Sequence, residues 1–147
     1  MKEIVADIWT YGNAFNAYIV IPTNGSVKKN GECVMGRGLA LQAKNRFPDL
    51  PKRLGGAIQR NGNRVYIFEN RKLITFPVKH YWWQKADLEL IETSAAQLRE
   101  AIYTSPDELV LIPKVGCGNG GRSWNAVKPI LEKEMKKVKN IIVCDLK

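Results

Sequence analysis

The sequence predicts an α/β domain, with a mainly parallel or mixed sheet lying between helix layers. Three observations lead there. Short β-branched stretches alternate with longer segments of helical period. The segment ELVLIPKV (108–115) is almost continuously apolar, the mark of a strand buried on both faces. With 147 residues, 45% hydrophobic and 25% charged, the chain can bury one sizeable core without disulfide or metal staples.

The elements follow in order. EIVADIW (3–9) and AYIVIPTN (17–24) read as strands, rich in β-branched residues and separated by the turn-forming TYGN. GSVKKNGEC (25–33) is polar and punctuated by glycine, hence a loop. In VMGRGLALQAKNRFPDLP (34–51) the period changes. Leu39, Ala43 and Phe47 recur at i, i+4 and i+8 until Pro48 stops the pattern, so a helix opens beside Gly36 and Gly38. RVYIFEN (64–70) and KLITFPV (72–78) are two short strands joined by a turn at Asn70-Arg71. Leu88, Ile91, Ala95, Leu98 and Ile102 mark one side of a long helix from Asp87 to Tyr103. After strand 108–115, a helix runs from about Ser123 and is expected to be disturbed or restarted at Pro129. Within 131–140, Leu131, Met135 and Val138 keep helical spacing while lysines face away, a solvated helix face. NIIVCDL (140–146) is a last buried strand.

Composition narrows the function classes. The net charge of +9 favours polyanionic partners, either nucleic acid or a small ligand carrying phosphates. Cys33, Cys117 and Cys144 form neither an even disulfide set nor a spaced metal motif, and His80 is the one histidine, which argues against a structural zinc site. Cys117 reads as a small buried filler in the first instance and as a reactive thiol in the second. No apolar run approaches a membrane span, and MKEIVADIW has no basic region followed by an apolar one, so the cytoplasm is the expected location.

Two strand-to-helix connections are glycine-rich, 31–38 and 116–121. In open α/β sheets such connections lie at the ligand-binding crevice, and backbone amides at a helix start favour phosphate. GECVMGRG places Gly31 and Gly36 at P-loop spacing, but Arg37-Gly38 replaces the required Lys-Ser/Thr, which excludes that motif. GCGNGG satisfies G-x-G-x-x-G through Gly116, Gly118 and Gly121, yet the next acidic residue, Asp145, lies later than a dinucleotide fingerprint expects. Side by side, the two loops would form one anion-binding pocket with two backbone jaws.

At these residues the chain resembles the macrodomain family, modules that bind ADP-ribose. The likeness runs over 1–147 and implies a single macrodomain with a three-layer α/β/α fold and a central mixed sheet. ADIW (6–9) matches the end of the family's first strand, which implies an adenine contact from Asp7 and places Ile8 beside it. VMGRGLALQAKNRFP (34–48) is similar to the first loop of the branch containing DarG and the terminal ADP-ribose protein glycohydrolase. That implies distal-ribose contacts from Met35, Gly36, Arg37 and Gly38, with Asn24 at the preceding strand end. PKVGCGNGGRSW (113–124) resembles the diphosphate loop, implying backbone contacts from Gly116, Cys117, Gly118, Asn119, Gly120 and Gly121. TFPVKHYWW (75–83) is similar to the segment that carries the catalytic lysine of the DarG-like, DNA-directed branch, and Lys79 falls on that lysine. The chain departs from the family where Ile21 replaces the first asparagine of Asn-x-x-Asn and where SVKKNGE lengthens the first loop.

The resemblance implies an ADP-ribosyl hydrolase acting on a macromolecule, foremost on thymidine bases of DNA. The implied partners are ADP-ribose or an ADP-ribosylated substrate, single-stranded DNA and a DarT-like toxin, with no cofactor, metal or membrane. Cleavage at the anomeric carbon builds oxocarbenium-like charge on the sugar. Lys79, set among Phe76, Tyr81, Trp82 and Trp83, is a candidate neutral amine acting as nucleophile or base; a charged lysine aiding the leaving base or holding phosphate is the other option. His80 reads as a proton carrier or a structural histidine, and Arg37 as a phosphate partner or a solvated cation. Trp82 or Trp83 could stack on a base; on an extended segment one would face the ligand and the other the core. A non-catalytic ADP-ribose reader and an ADP-ribose 1″-phosphate phosphatase remain alternatives.

Overall fold

A computed structural model describes residues 1–146. Its six strands are β1 (Lys2–Ala6), β2 (Tyr18–Asn24), β3 (Tyr66–Phe68), β4 (Leu73–Lys79), β5 (Val110–Ile112) and β6 (Ile141–Leu146). They form one sheet in the order β1-β6-β5-β2-β4-β3. All neighbours are parallel except the edge pair of β3 and β4. The helices are α1 (Ile8–Ala14), α2 (Gly38–Arg46), α3 (Leu50–Asn61), α4 (Leu88–Tyr103) and α5 (Trp124–Glu134).

Alternation along the strands builds the two halves of the core. Val20, Ile74, Phe76 and Ile112 face one side, where Ile91, Ala95 and Leu98 of α4 and Val127 and Leu131 of α5 cover them. Ile19, Ile21, Leu73 and Leu111 face the other, under Ile8 of α1, Leu39 and Ala43 of α2, and Leu50 and Leu54 of α3. The arrangement is the expected three-layer α/β/α fold with a mixed sheet. No helix among the described residues is long and apolar enough to cross a membrane.

Three local expectations are corrected, and one unassigned stretch gains an element. The first strand stops at Ala6 rather than Trp9, because the Asp7 carboxylate accepts from Trp9 N at 3.0 Å and Thr10 N at 3.1 Å and starts a helix there. TYGN therefore lies inside α1. The stretch 50–61, which carried no assignment, is α3; Leu50, Leu54 and Ala57 bury one face, and the Gly55-Gly56 pair hides the helical signal. Pro129 neither breaks nor restarts α5. Its missing N–H would have met the carbonyl of Asn125, and both residues are exposed, so water can take that acceptor. The fifth strand is also shorter than 108–115, although Val110, Leu111 and Ile112 are buried on both faces as expected.

α3 braces the first glycine-rich loop. Cys33 N donates to Pro51 O at 2.8 Å, and Lys52 Nζ donates to Asn30 O at 2.6 Å. Gly55 lies so close to the Gly31 carbonyl that no β-carbon fits between them. Gly55→Ala is accordingly expected to destabilise the chain by about 2 kcal/mol, the usual scale of overpacking. Urea unfolding of the variant beside the parent checks this; equal midpoints would show that α3 and the loop are not coupled through that contact.

Candidate functional site

The carboxyl ends of β2, β4, β5 and β6 open into a cavity of about 870 Å³. Parallel pairing brings these ends to one level. A shift of register between Thr23 and Asn24 sets Asn24 opposite Lys79 rather than Val78. Both glycine-rich loops line the cavity, the first through Met35, Gly36, Arg37 and Gly38, the second through Gly116, Cys117, Gly118, Asn119 and Gly120. The jaws meet, since the Asn119 side-chain Nδ2 is 3.2 Å from where a β-carbon on Gly38 would stand.

Asn24 fastens the first jaw. Its Nδ2 donates to Val34 O at 3.0 Å, and its Oδ1 accepts from Ser26 N at 2.9 Å. Cys33 sits inside this loop, and burial pushes its thiol up to about 12, so it is an inert packing group. The loop delivers α2, whose N-cap, Arg37, makes no side-chain capping bond. Gly38, Leu39 and Ala40 of the first turn line the cavity, and their amides find no acceptor among the described residues.

The second jaw is held by its own backbone. Arg122 N donates to Gly116 O at 2.9 Å, Gly121 N to Gly118 O at 3.1 Å and Ala86 N to Gly120 O at 2.8 Å. Gly116 has φ of +75°, and a β-carbon there would stand 2.8 Å from Ile91 Cδ1, so the turn needs glycine twice over. The amides of Gly118, Asn119 and Gly120 find no acceptor among the described residues. Free backbone donors on both jaws, at a helix start on one side, make an anion cradle.

Lys79 ends β4 between the jaws. Its carbonyl accepts from Gly25 N at 3.2 Å and from Asn63 Nδ2 at 3.0 Å, which fixes the backbone. Its ammonium donates to Trp82 O at 3.3 Å and to Asn119 O at 3.4 Å. Partial burial, aided by the Arg37 guanidinium, lowers its pKa below that of an ordinary lysine. No carboxylate pairs with it among the described residues, so little opposes loss of its proton.

Other sequence candidates fall elsewhere. Asp7 is outside the cavity lining and is engaged as the α1 cap, Ile8 is buried in the core, and Gly121 is exposed outside the cavity lining. Ile21, the departure from Asn-x-x-Asn, is fully buried beneath the site. Burial raises the Cys117 thiol against the pull of Lys114, which opposes thiolate chemistry. His80 Nε2 lies 3.1 Å from Asp87 Oδ2, outside the main cavity. Trp82 and Trp83 both line the cavity and neither enters the core, contrary to the expected division, because the segment is a turn closed by Gln84 N donating to Tyr81 O at 3.1 Å. Lys114, which sequence reasoning passed over, and Asp145, which it weighed only against the dinucleotide fingerprint, line the cavity as a 3.1 Å ion pair; their place just past β5 and near the end of β6 was the available signal. No group of three potential metal ligands occurs among the described residues.

Among known proteins, no family model matches this chain. A DNA ADP-ribosyl glycohydrolase of Thermus aquaticus is 28% identical over 119 residues, which are 75% of this chain and 33% of the relative. The chain thus spans about a third of the length of the curated relatives it matches. The macrodomain of Mycobacterium tuberculosis DarG superposes with a TM-score of 0.74 at 25% identity, covering 88% of this chain and 87% of the other. The macrodomain of Thermus aquaticus DarG gives 0.80 at 23% identity over 99% and 97%. Thermosipho africanus DarTG, solved in complex with ADP-ribose, gives 0.73 at 22% identity over 88% and 38%.

The electrostatics of Lys79 can be tested directly. Arg37→Ala removes a neighbouring cation, so the charged amine is less disfavoured and the Lys79 pKa is expected to rise toward the ordinary lysine value. An NMR titration following the Lys79 side-chain carbons checks the sign; a fall, or no change, would remove Arg37 from the account.

Proposed function

Since the chain is a macrodomain of the DarG type, we propose that it is an ADP-ribosyl hydrolase that releases mono-ADP-ribose from thymidine bases of DNA. The observation that carries the reading is the placement of Lys79. Its amine stands in the cavity between two jaws whose backbone amides find no acceptor among the described residues, poised with a lowered pKa and no carboxylate partner among those residues. Support for the substrate comes from the relatives, which are named for glycohydrolase action on DNA, and from the ADP-ribose complex of the Thermosipho africanus protein.

The chemistry then follows from the residues. The diphosphate lies against the free amides of Gly118, Asn119, Gly120 and the first turn of α2. This sets the distal ribose near Lys79, with the adenosine directed toward Asp145 and Leu146. Neutral Nζ adds to the anomeric carbon as the bond to the base breaks, the electron pair leaving with the base, which takes up a proton. Water then cleaves the lysine adduct, returning the amine and freeing ADP-ribose. The neighbouring Arg37 helps keep part of the amine neutral, and its charge also faces the phosphates.

A DarT-like toxin that installs the modification is the proposed partner, which would make the chain an antitoxin. The fusion of a DNA ADP-ribosyl transferase with a glycohydrolase in Thermosipho africanus supports that pairing. A substrate in DNA sets the work in the cytoplasm.

Release of ADP-ribose from a thymidine-modified single-stranded oligonucleotide tests the proposal. Lys79→Ala is expected to lower turnover by about 10²-fold or more while free ADP-ribose still binds. Lys79→Arg keeps the charge but offers no neutral amine, so it should be equally inactive. Activity retained in the arginine variant would assign Lys79 an electrostatic role, and no release by the parent would remove DNA as substrate.

A further inference from the structure

The cavity rim carries three consecutive exposed aromatic residues: Tyr81 is 53% exposed, Trp82 52% and Trp83 66%. Large aromatic surface left in water side by side usually marks a contact site. This one is also held in place. The rings of Tyr81 and Trp83 stack at 5.8 Å with 7° between their planes. Tyr81 N donates to Gln84 Oε1 at 3.0 Å, and Trp82 N donates to Ser26 Oγ at 2.9 Å, which ties the turn to the loop beyond β2.

Trp83 belongs to two concavities. It lines the main cavity and also an open groove of about 430 Å³ formed with His80, Gln84, Lys85, Asp87 and Arg122. Asp87, the groove's carboxylate, is already engaged by His80 and by the α4 amides of Glu89 and Leu90. Lys85 and Arg122 form no ion pair among the described residues. Flat π faces beside unneutralised cations match a base and its phosphate, the two repeating parts of single-stranded nucleic acid. An acidic peptide would use the cations and leave the stacked rings idle.

We propose that Tyr81 and Trp83 form a nucleobase platform and that Lys85 and Arg122 hold the adjoining phosphodiester, so the strand is gripped by a nucleotide next to the modified one. The inference rests on the reading of the main cavity as a hydrolase site for DNA. It makes the rim a determinant of substrate choice, favouring a modified base within a strand over the same modification on a free nucleoside.

The experiment uses unmodified, fluorescently labelled single-stranded oligothymidylate, read by anisotropy, with free ADP-ribose binding followed by calorimetry on the same proteins. The parent is expected to bind the oligonucleotide with a Kd tighter than about 10⁻⁴ M at physiological salt. Tyr81→Ala and Lys85→Glu should each weaken it about tenfold, as should removal of the bases in an abasic strand of equal length. Neither variant should change ADP-ribose affinity, since neither residue lines the main cavity. Equal binding of the abasic strand, indifference to Tyr81→Ala, no binding by the parent, or displacement of the strand by oligoglutamate at equal charge would each overturn the platform. Unmodified DNA keeps this separate from hydrolysis: a parent that fails to release ADP-ribose yet binds oligothymidylate through Tyr81 removes the cavity reading and leaves the platform supported.

Discussion

The site depends on one constraint: parallel strands must end at the same edge of the sheet. β2, β4, β5 and β6 run together, so each connection that follows them starts at one rim, and whatever those connections carry is gathered there. The register shift at Thr23 and Asn24 adjusts this by a single residue, bringing Asn24 level with Lys79. Asn24 then fixes the first jaw while Lys79 reaches across to the second. Chain segments nearly a hundred residues apart become one pocket with no need for a disulfide or metal staple.

Most of this architecture was legible because it is periodic. Ile91, Ala95 and Leu98 declare α4, and Val110 to Ile112 declare a strand covered on both faces. Both glycine-rich jaws were legible because glycine there replaces side chains with backbone donors. What escaped was short, or masked by residues that disfavour its element. α1 has only seven residues and is set by the two bonds of its Asp7 cap rather than by a stripe, while α3 contains two glycines that its packing overrides. Trp82 and Trp83 were assigned to opposite faces on the premise of an extended segment, and one backbone hydrogen bond closing a turn reverses that outcome. Lys114 and Asp145 are unremarkable in sequence, since only the packing of β5 against β6 makes them a pair.

Charge is distributed with the same economy. The chain carries a net charge of +9, yet several lysines and arginines are committed to carboxylates, as in Lys72 with Glu108, Lys114 with Asp145 and Arg99 with Glu134. Arg37, Lys79, Lys85 and Arg122 form no such pairs among the described residues, and all four lie at the main cavity or its adjoining groove. These unneutralised cations favour an anionic ligand at the rim, while burial first and the Arg37 charge second disfavour the protonated form of Lys79.

The two hydrogen bonds of Lys79 also constrain direction. A neutral amine has two hydrogens, one bond to its own chain and one lone pair, arranged tetrahedrally. With the hydrogens committed to the carbonyls of Trp82 and Asn119, rotation about the terminal carbon–nitrogen bond is restricted and a single direction is left for the lone pair. In the proposed reaction this would aim the nucleophilic orbital before any sugar arrives and leave the stereochemistry of attack to two peptide carbonyls, groups that no side-chain substitution can delete.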